Sequence, residues 1–211
     1  MKTKFLITGA IVGVATLGLA ALRAVAEENY KGPSFELLKT LDEHIELRKY
    51  APRIVAEVEV DDNANAMNYA FRILAAYIFG ENKKSQKVAM TSPVLAKAEK
   101  ISMTSPVTTS SRNQKLKMRF FMPQEYTIDD LPEPVDKRIK FIELPEETFA
   151  SIRFSGSWRS SNFEQHSKIL LNRLKVEQIT PVGDPLFAYY NPPFMPAFLR
   201  HNEVLVPIGN L

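Results

Sequence analysis

No cysteine occurs in the 211 residues. That absence excludes disulfides, thiolate nucleophiles, zinc–thiolate and iron–sulfur sites, and the Cys-x-x-Cys-His attachment of a covalent c-type haem. It does not name the compartment, because a domain of this length folds without covalent staples. Catalytic signatures are missing as well: there is no Gly-x-Ser-x-Gly, no phosphate-cradling glycine loop and no His-Glu-x-x-His. Glu46, Glu143, Glu146 and Glu147 read as solvated charges at strand ends, so a binding protein is expected and not an enzyme. Histidine is scarce, with only His44, His166 and His201.

An excess of charge is also missing from most of the chain. The formal net charge is +3, but the first 26 residues hold three of the 27 Lys and Arg and none of the 24 Asp and Glu, leaving 24 of each sign behind them. Such a balance lacks the positive surface that phosphate binding needs, so no nucleic-acid partner is expected. Lys2 and Lys4 precede an uncharged run from Phe5 to Leu22, and Arg23 then introduces the small-x-small site Ala24-Val25-Ala26. This is the pattern of an export signal. At 18 residues the run also borders on a minimal membrane-spanning helix. Residues 1–26 are therefore a signal peptide or an N-terminal membrane anchor, and residues 34–211 a domain delivered to the periplasm or held on the membrane facing out of the cytoplasm.

What the chain does have is a doubled phrase. Lys-Val-Ala-Met-Thr-Ser-Pro-Val at 87–94 returns as Lys-Ile-Ser-Met-Thr-Ser-Pro-Val at 100–107. Val88 and Met90, like Ile101 and Met103, share a face at strand spacing, and the prolines hold Ser92 and Ser105 extended. A hairpin with Val94 near Ile101 and Ser92 near Met103 is expected, its methionines filling a barrel corner or touching a ligand.

Around this phrase the chain divides into two similar halves. Phe35–Tyr50 is strand-rich, and Arg53–Val60 alternates with Ile54, Ala56, Val58 and Val60 on one side. Asp61-Asp62-Asn63 signals a helix start, and the helix runs to about Phe79 and stops at Gly80. Leu116–Met122 is a further strand. The second half repeats the order: strands at Ile139–Leu144 and Thr148–Phe154, a helix from about Phe163 to Lys175, and strands at Leu186–Tyr190 and Glu203–Ile208. The expected class is α+β, with two strand-strand-helix-strand-strand units sharing one sheet or barrel. Pro123–Pro134 is a stiff crossing between the halves.

The doubled phrase, Arg119-Phe120-Phe121-Met122-Pro123, Leu131-Pro132-Glu133-Pro134, Phe154-Ser155-Gly156-Ser157-Trp158, Tyr190-Asn191-Pro192-Pro193-Phe194 and Leu199-Arg200-His201-Asn202-Glu203-Val204 together resemble the SOUL haem-binding protein family over about residues 35–208. The resemblance implies a distorted β-barrel of two pseudo-symmetric halves with a helix on each. It also implies non-covalent binding of haem or a related tetrapyrrole in an apolar groove beside the first helix and the late Tyr-Asn-Pro-Pro loop. Where family members carry a candidate haem histidine, this chain has Lys49 before Tyr50. His201 replaces the second arginine of the family's Arg-Arg-Asn-Glu phrase.

The residues themselves allow such a groove. The second helix has one apolar stripe, Phe163, Leu170, Leu171 and Leu174, and His166 among its solvated positions. In the first, Met67, Phe71, Leu74 and Ile78 form one stripe and Ala70, Ile73 and Tyr77 another, leaving only Asn65, Asn68 and Arg72 as a polar strip. A helix apolar over most of its circumference needs a second cover: a ligand, a partner protein, a membrane surface, or the chain's own C-terminal loop. The loop offers Tyr190, Phe194, Met195 and Phe198, with Arg72, Arg200, Lys83 and Lys84 for carboxylates at the rim. Met67, Phe71, Arg72, Leu74, Tyr190, Phe194, Met195, Phe198, Arg200 and His201 are the candidate haem-binding residues, for a carrier, buffer or scavenger. The competing expectation is an envelope module whose first helix meets protein or lipid.

Overall fold

From Phe35 to Ile208 the chain forms strands β1 (Phe35–Asp42), β2 (Ile45–Tyr50) and β3 (Arg53–Asp61), helix α1 (Ala66–Ile78), strands β4 (Val94–Glu99), β5 (Lys115–Phe121), β6 (Lys140–Leu144) and β7 (Glu147–Phe154), helix α2 (Ser160–Val176), and strands β8 (Leu186–Tyr189) and β9 (Asn202–Ile208). The computed structural model describes residues 32–89, 91–99, 115–191 and 194–209. Residues 1–31, Met90 and the second copy of the doubled phrase lie outside the described residues.

All nine strands join one antiparallel sheet in the order β1-β2-β7-β9-β8-β4-β5-β3-β6. The sheet curls into a half-barrel, an α+β fold. Read outward from the central β8–β4 pair, β9 matches β5, β7 matches β3 and β2 matches β6, so the two halves are related by a pseudo-two-fold. Each half gives its first strand to the other, since β2 pairs with β7 and β6 pairs with β3.

Two short links cause this exchange. Ala51-Pro52 joins β2 to β3, and Pro145-Glu146 joins β6 to β7. A two-residue hairpin needs positive φ at its centre and favours Asn-Gly or Gly, so neither link closes one and the chain crosses to the opposite half instead. Arg53 fastens the two crossings together. Its Nη1 donates to the carbonyls of Ala51 and Pro145 at 3.2 and 3.4 Å, and Nη2 donates to Glu147 at 2.7 Å.

The helices cover one face of the sheet. α1 lays Ala70, Leu74 and Ile78 on Ala56, Val58, Met118 and Phe120, while α2 lays Phe163, Leu170 and Leu174 on Ala150, Ile152, Val204 and Val206. Tyr50, Val55, Leu95, Phe121, Phe149 and Leu205 form a third cluster on the other face. α1 begins later than Asp61-Asp62-Asn63 alone indicates. Asn63 spends its side chain and carbonyl on a turn, accepting from Asn65 N at 2.9 Å and Ala66 N at 3.0 Å, so the helix opens at Ala66. It closes as expected at Gly80, whose φ of 111° suits glycine. Glu81 N bonds Ala76 O at 2.9 Å and Gly80 N bonds Tyr77 O at 3.2 Å, the two bonds of a Schellman closure.

The first copy of the doubled phrase is not the strand its spacing predicts. Only Val94 enters β4, and it pairs with Phe120 on one side and Tyr189 on the other. Both edges of Val94 are taken, so it is not free to pair with Ile101 in a hairpin. α2 likewise starts at Ser160, three residues before the expected Phe163.

Candidate functional site

α1 carries Tyr69, Arg72, Ile73, Ala76 and Tyr77 along one flank, the i, i+3, i+4 spacing that aligns side chains on a helix. Opposite them stand Val135, Asp136 and Ile139 from the β5–β6 connector, with Glu81 at the end of α1. Between the two walls lies an open groove of about 560 Å³. The connector is held there by Leu131 and Ile139, both buried against α1, and by Lys83 N donating to Glu133 O at 2.9 Å. The second cover that α1 demands is thus largely the connector. Leu131, Val135 and Ile139 were the signal for it, apolar residues punctuating an otherwise polar, proline-rich crossing.

Polar groups in the groove differ in how far they are committed. Arg138 donates to Asp136 at 2.9 and 2.6 Å and to the Tyr69 hydroxyl. Arg72 is exposed and makes no hydrogen bond or ion pair among the described residues. The Tyr77 side chain is buried, packs its ring edge-on against Phe141 at 5.5 Å, and its hydroxyl has no hydrogen-bond partner among the described residues. Burial, with the nearby Tyr126, pushes the Tyr77 phenol up to about 12, so it is a neutral donor at physiological pH.

A second polar cluster, on the face away from the helices, is fully committed. Glu203 on β9 is 1% exposed. It accepts from Arg48 Nη1 at 2.9 and 3.1 Å and Nη2 at 3.1 Å, from the Tyr190 hydroxyl at 2.6 Å, and faces His201 Nε2 at 2.9 Å. Burial alone raises a carboxyl, but here the His201 hydrogen bond and the Arg48 charge outweigh it and hold Glu203 at about 2. Phe35 covers the Arg48 guanidinium at 4.5 Å. Sequence reading missed Arg48 and Glu203 as a pair because 155 residues separate them.

The candidate residues fall in three places. Arg72 lines the groove. Met67 is 37% exposed, Phe71 packs edge-on against Phe120 at 5.4 Å, and Leu74 is wholly buried in the α1 core. The others belong to the C-terminal loop, which is anchored on the opposite half. Gly156 N donates to Ala197 O at 2.9 Å, Trp158 Nε1 donates to Asn202 Oδ1 at 3.0 Å, and Arg200 lies 4.5 Å over the Trp158 ring while donating to Met195 O at 2.8 Å. Tyr190 and His201 stack at 3.9 Å beside Glu203, whereas Phe194 and Phe198 are 86% and 63% exposed.

None of the three histidines lines the groove. His44 sits in the exposed β1–β2 turn, with its carbonyl accepting from Arg153 N at 3.0 Å. His166 is half-buried and not solvated as its helix position indicated: it stacks on Phe154 at 3.8 Å, and its Nδ1 lies 2.7 Å from Asn162 O. Among the described residues no cluster of His, Cys, Asp and Glu could hold a metal ion. The groove's volume lies in the range of small-molecule sites, its lining mixes Ile73, Ala76, Val135 and Ile139 with charged side chains, and the Arg72 guanidinium stands at its edge.

A family profile described as SOUL heme-binding protein matches residues 30–207. The chain is similar to human heme-binding protein 2, with 28% identity over 189 residues, covering 88% of this chain and 87% of that one. Among solved structures it is similar to the C-terminal domain of EcmrR, with a TM-score of 0.58 and 12% identity over 79% of this chain and 98% of that one. A conserved protein from Listeria innocua gives a TM-score of 0.59 and 10% identity over 80% of this chain and 93% of that one. At such identities the two structural likenesses speak for the fold alone.

Proposed function

We propose that this chain, which belongs to the SOUL heme-binding protein family, holds haem or a related tetrapyrrole non-covalently in the α1 groove and serves as a carrier, buffer or scavenger. The observation that carries the reading is the groove itself: an apolar helix flank and an apolar connector facing each other across about 560 Å³. A planar ring buries its faces against Ile73, Ala76, Val135 and Ile139, and Arg72 is available to its acid groups. Bound haem would supply a redox-active iron, but the groove provides no histidine to hold that iron axially. The family names describe binding proteins, and the reading assigns no chemistry to the protein itself.

The exposed Phe194 and Phe198 support a second surface. An aromatic loop of this kind suits a partner protein or a lipid surface, the role of an envelope interaction module. Residues 1–26 complete the reading as an export signal or tether that places the domain, residues 34–211, outside the cytoplasm. Fractionation of cells, with the N-terminus of the mature chain determined, distinguishes cleavage from anchoring.

Haemin titration of the full-length protein, followed at the Soret band, tests the main reading. Saturable one-to-one binding that Ala76→Glu with Val135→Asp abolishes, while circular dichroism stays unchanged, supports the α1 groove. Binding lost instead in Phe194→Asp with Phe198→Asp moves the site to the late loop. Weak, non-saturating binding in every form sinks the tetrapyrrole reading.

A further inference from the structure

The chain enters the described domain beside the late aromatic loop. Gly32 lies against the Ser92 carbonyl, which a Cβ at that position would approach to 3.1 Å, and Ser92 Oγ donates to Tyr190 O at 3.2 Å. Tyr190 N in turn donates to His201 O at 3.3 Å and closes the stem of the loop. Between Leu22, the end of the uncharged run, and Gly32 stand only nine residues, a link that spans at most roughly 35 Å when fully extended. An anchor formed by that run therefore keeps a bilayer within reach of the loop.

The loop is built for apolar contact. Phe194 and Phe198 are 86% and 63% exposed, yet the backbone that carries them is bonded: Leu199 N donates to Pro196 O at 2.9 Å, and Ala197 O accepts from Gly156 N at 2.9 Å. Rings held out to water by a braced loop lose little freedom when they are covered. The charge beside them has one sign. Residues 155–163 and 185–202, joined by the Gly156–Ala197 and Trp158–Asn202 bonds, contain Arg159 and Arg200 and no Asp or Glu. Arg159 is exposed, and its side chain makes no hydrogen bond or ion pair among the described residues. Glu203, next along the chain, is buried and committed to Arg48.

We propose that Phe194 and Phe198 enter the interface of an anionic lipid bilayer, with Arg159 on the headgroup phosphates, and so make a second membrane contact beside the N-terminal segment. The inference rests on reading residues 1–26 as a retained anchor, and it gives the exposed loop one partner, lipid. A single anchor leaves a domain free to turn on its link, whereas aromatic insertion and cation attraction together fix the face it presents to the membrane. This surface shares no residue with the α1 groove, so docking does not occupy that groove.

The test exploits the absence of cysteine, which lets Phe194→Cys, Phe198→Cys or Val182→Cys carry a single environment-sensitive dye on the full-length chain. Val182 is the control: it is 66% exposed, and its N–H donates to Pro207 O at 2.9 Å, at the opposite end of β9 from Asn202. Each form is reconstituted into vesicles of phosphatidylcholine with phosphatidylglycerol and floated. The expected result is a blue shift and quenching by bromine-labelled lipid at positions 194 and 198 and neither at 182, with a smaller shift in Arg159→Glu or when phosphatidylglycerol is omitted. Co-flotation without a shift at 194 and 198, or with equal shifts at all three positions, overturns this inference and leaves the anchor standing. A shift that neither Arg159→Glu nor loss of phosphatidylglycerol reduces overturns the phosphate contact. A shift that appears before vesicles are added and grows with protein concentration overturns the lipid assignment and gives this face to a second copy of the chain. Failure to co-float overturns both the inference and the anchor.

Discussion

α1 and α2 occupy equivalent places on the two halves of one sheet, but they are finished differently. α2 buries Phe163, Leu170 and Leu174 and turns Glu164, Gln165 and Lys168 to water. α1 buries Leu74 and Ile78 of its first stripe and Ala70, Ile73 and Tyr77 of its second, and leaves Met67 and Tyr69 exposed. The difference comes from the connector. The segment between β5 and β6 folds back over α1 and makes the second wall of a groove. A pseudo-symmetric fold thus becomes asymmetric in shape where the connector adds a wall beside α1.

The polar clusters show the same contrast. Around Glu203 the acceptors and donors are used up within the chain, which marks a structural lock. In the α1 groove Arg72 makes no hydrogen bond or ion pair among the described residues. Breaking the lock gives the largest expected effect. Arg48→Ala leaves the Glu203 carboxylate buried and alone, and should cost about 3–5 kcal/mol in urea unfolding, whereas groove variants should not. A loss below about 1 kcal/mol would mean that the lock carries little of the fold.

Acid probes the same pair more gently. Because Glu203 titrates at about 2 in the fold against 4.5 ordinarily, its contribution is complete above pH 4.5 and disappears as pH falls toward 2. That contribution is on the order of 3 kcal/mol, and Glu203→Gln should flatten the acid limb of a stability–pH curve. Gly80→Ala tests the α1 end itself. At a φ of 111° the added Cβ should cost about 1–2 kcal/mol, read from the denaturation midpoint. The smallest expected effect on stability is also the most informative for function. Val135 is 64% exposed, so Val135→Asp should stay within about 0.5 kcal/mol of wild type while lowering haemin affinity by at least about tenfold.

Much of the architecture was legible before folding. The alternation of β3, the stop at Gly80 and the repeated order of elements each follow from local chemistry, and each appears in the fold. The excess apolarity of α1 was legible too, but its partner was not. The late loop, with Tyr190, Phe194 and Phe198, is the more aromatic segment, and composition alone favours it over the connector. Its attachment to Gly156 and Trp158 depends on Asn202, whose side chain also donates to Gly156 O at 3.2 Å. No local pattern announces that contact.

The sequence by itself determined the class of the domain, its two-fold plan, its freedom from thiol chemistry and the need of α1 for a second cover. These rest on periodicity, turn chemistry and composition, which act over a few residues. Only the tertiary structure decided that β2 and β6 change halves, that Arg48 meets Glu203, and that the connector and not the late loop walls the groove. Those outcomes depend on which distant surfaces pack together, a choice made by the whole buried core that no short stretch of chain encodes.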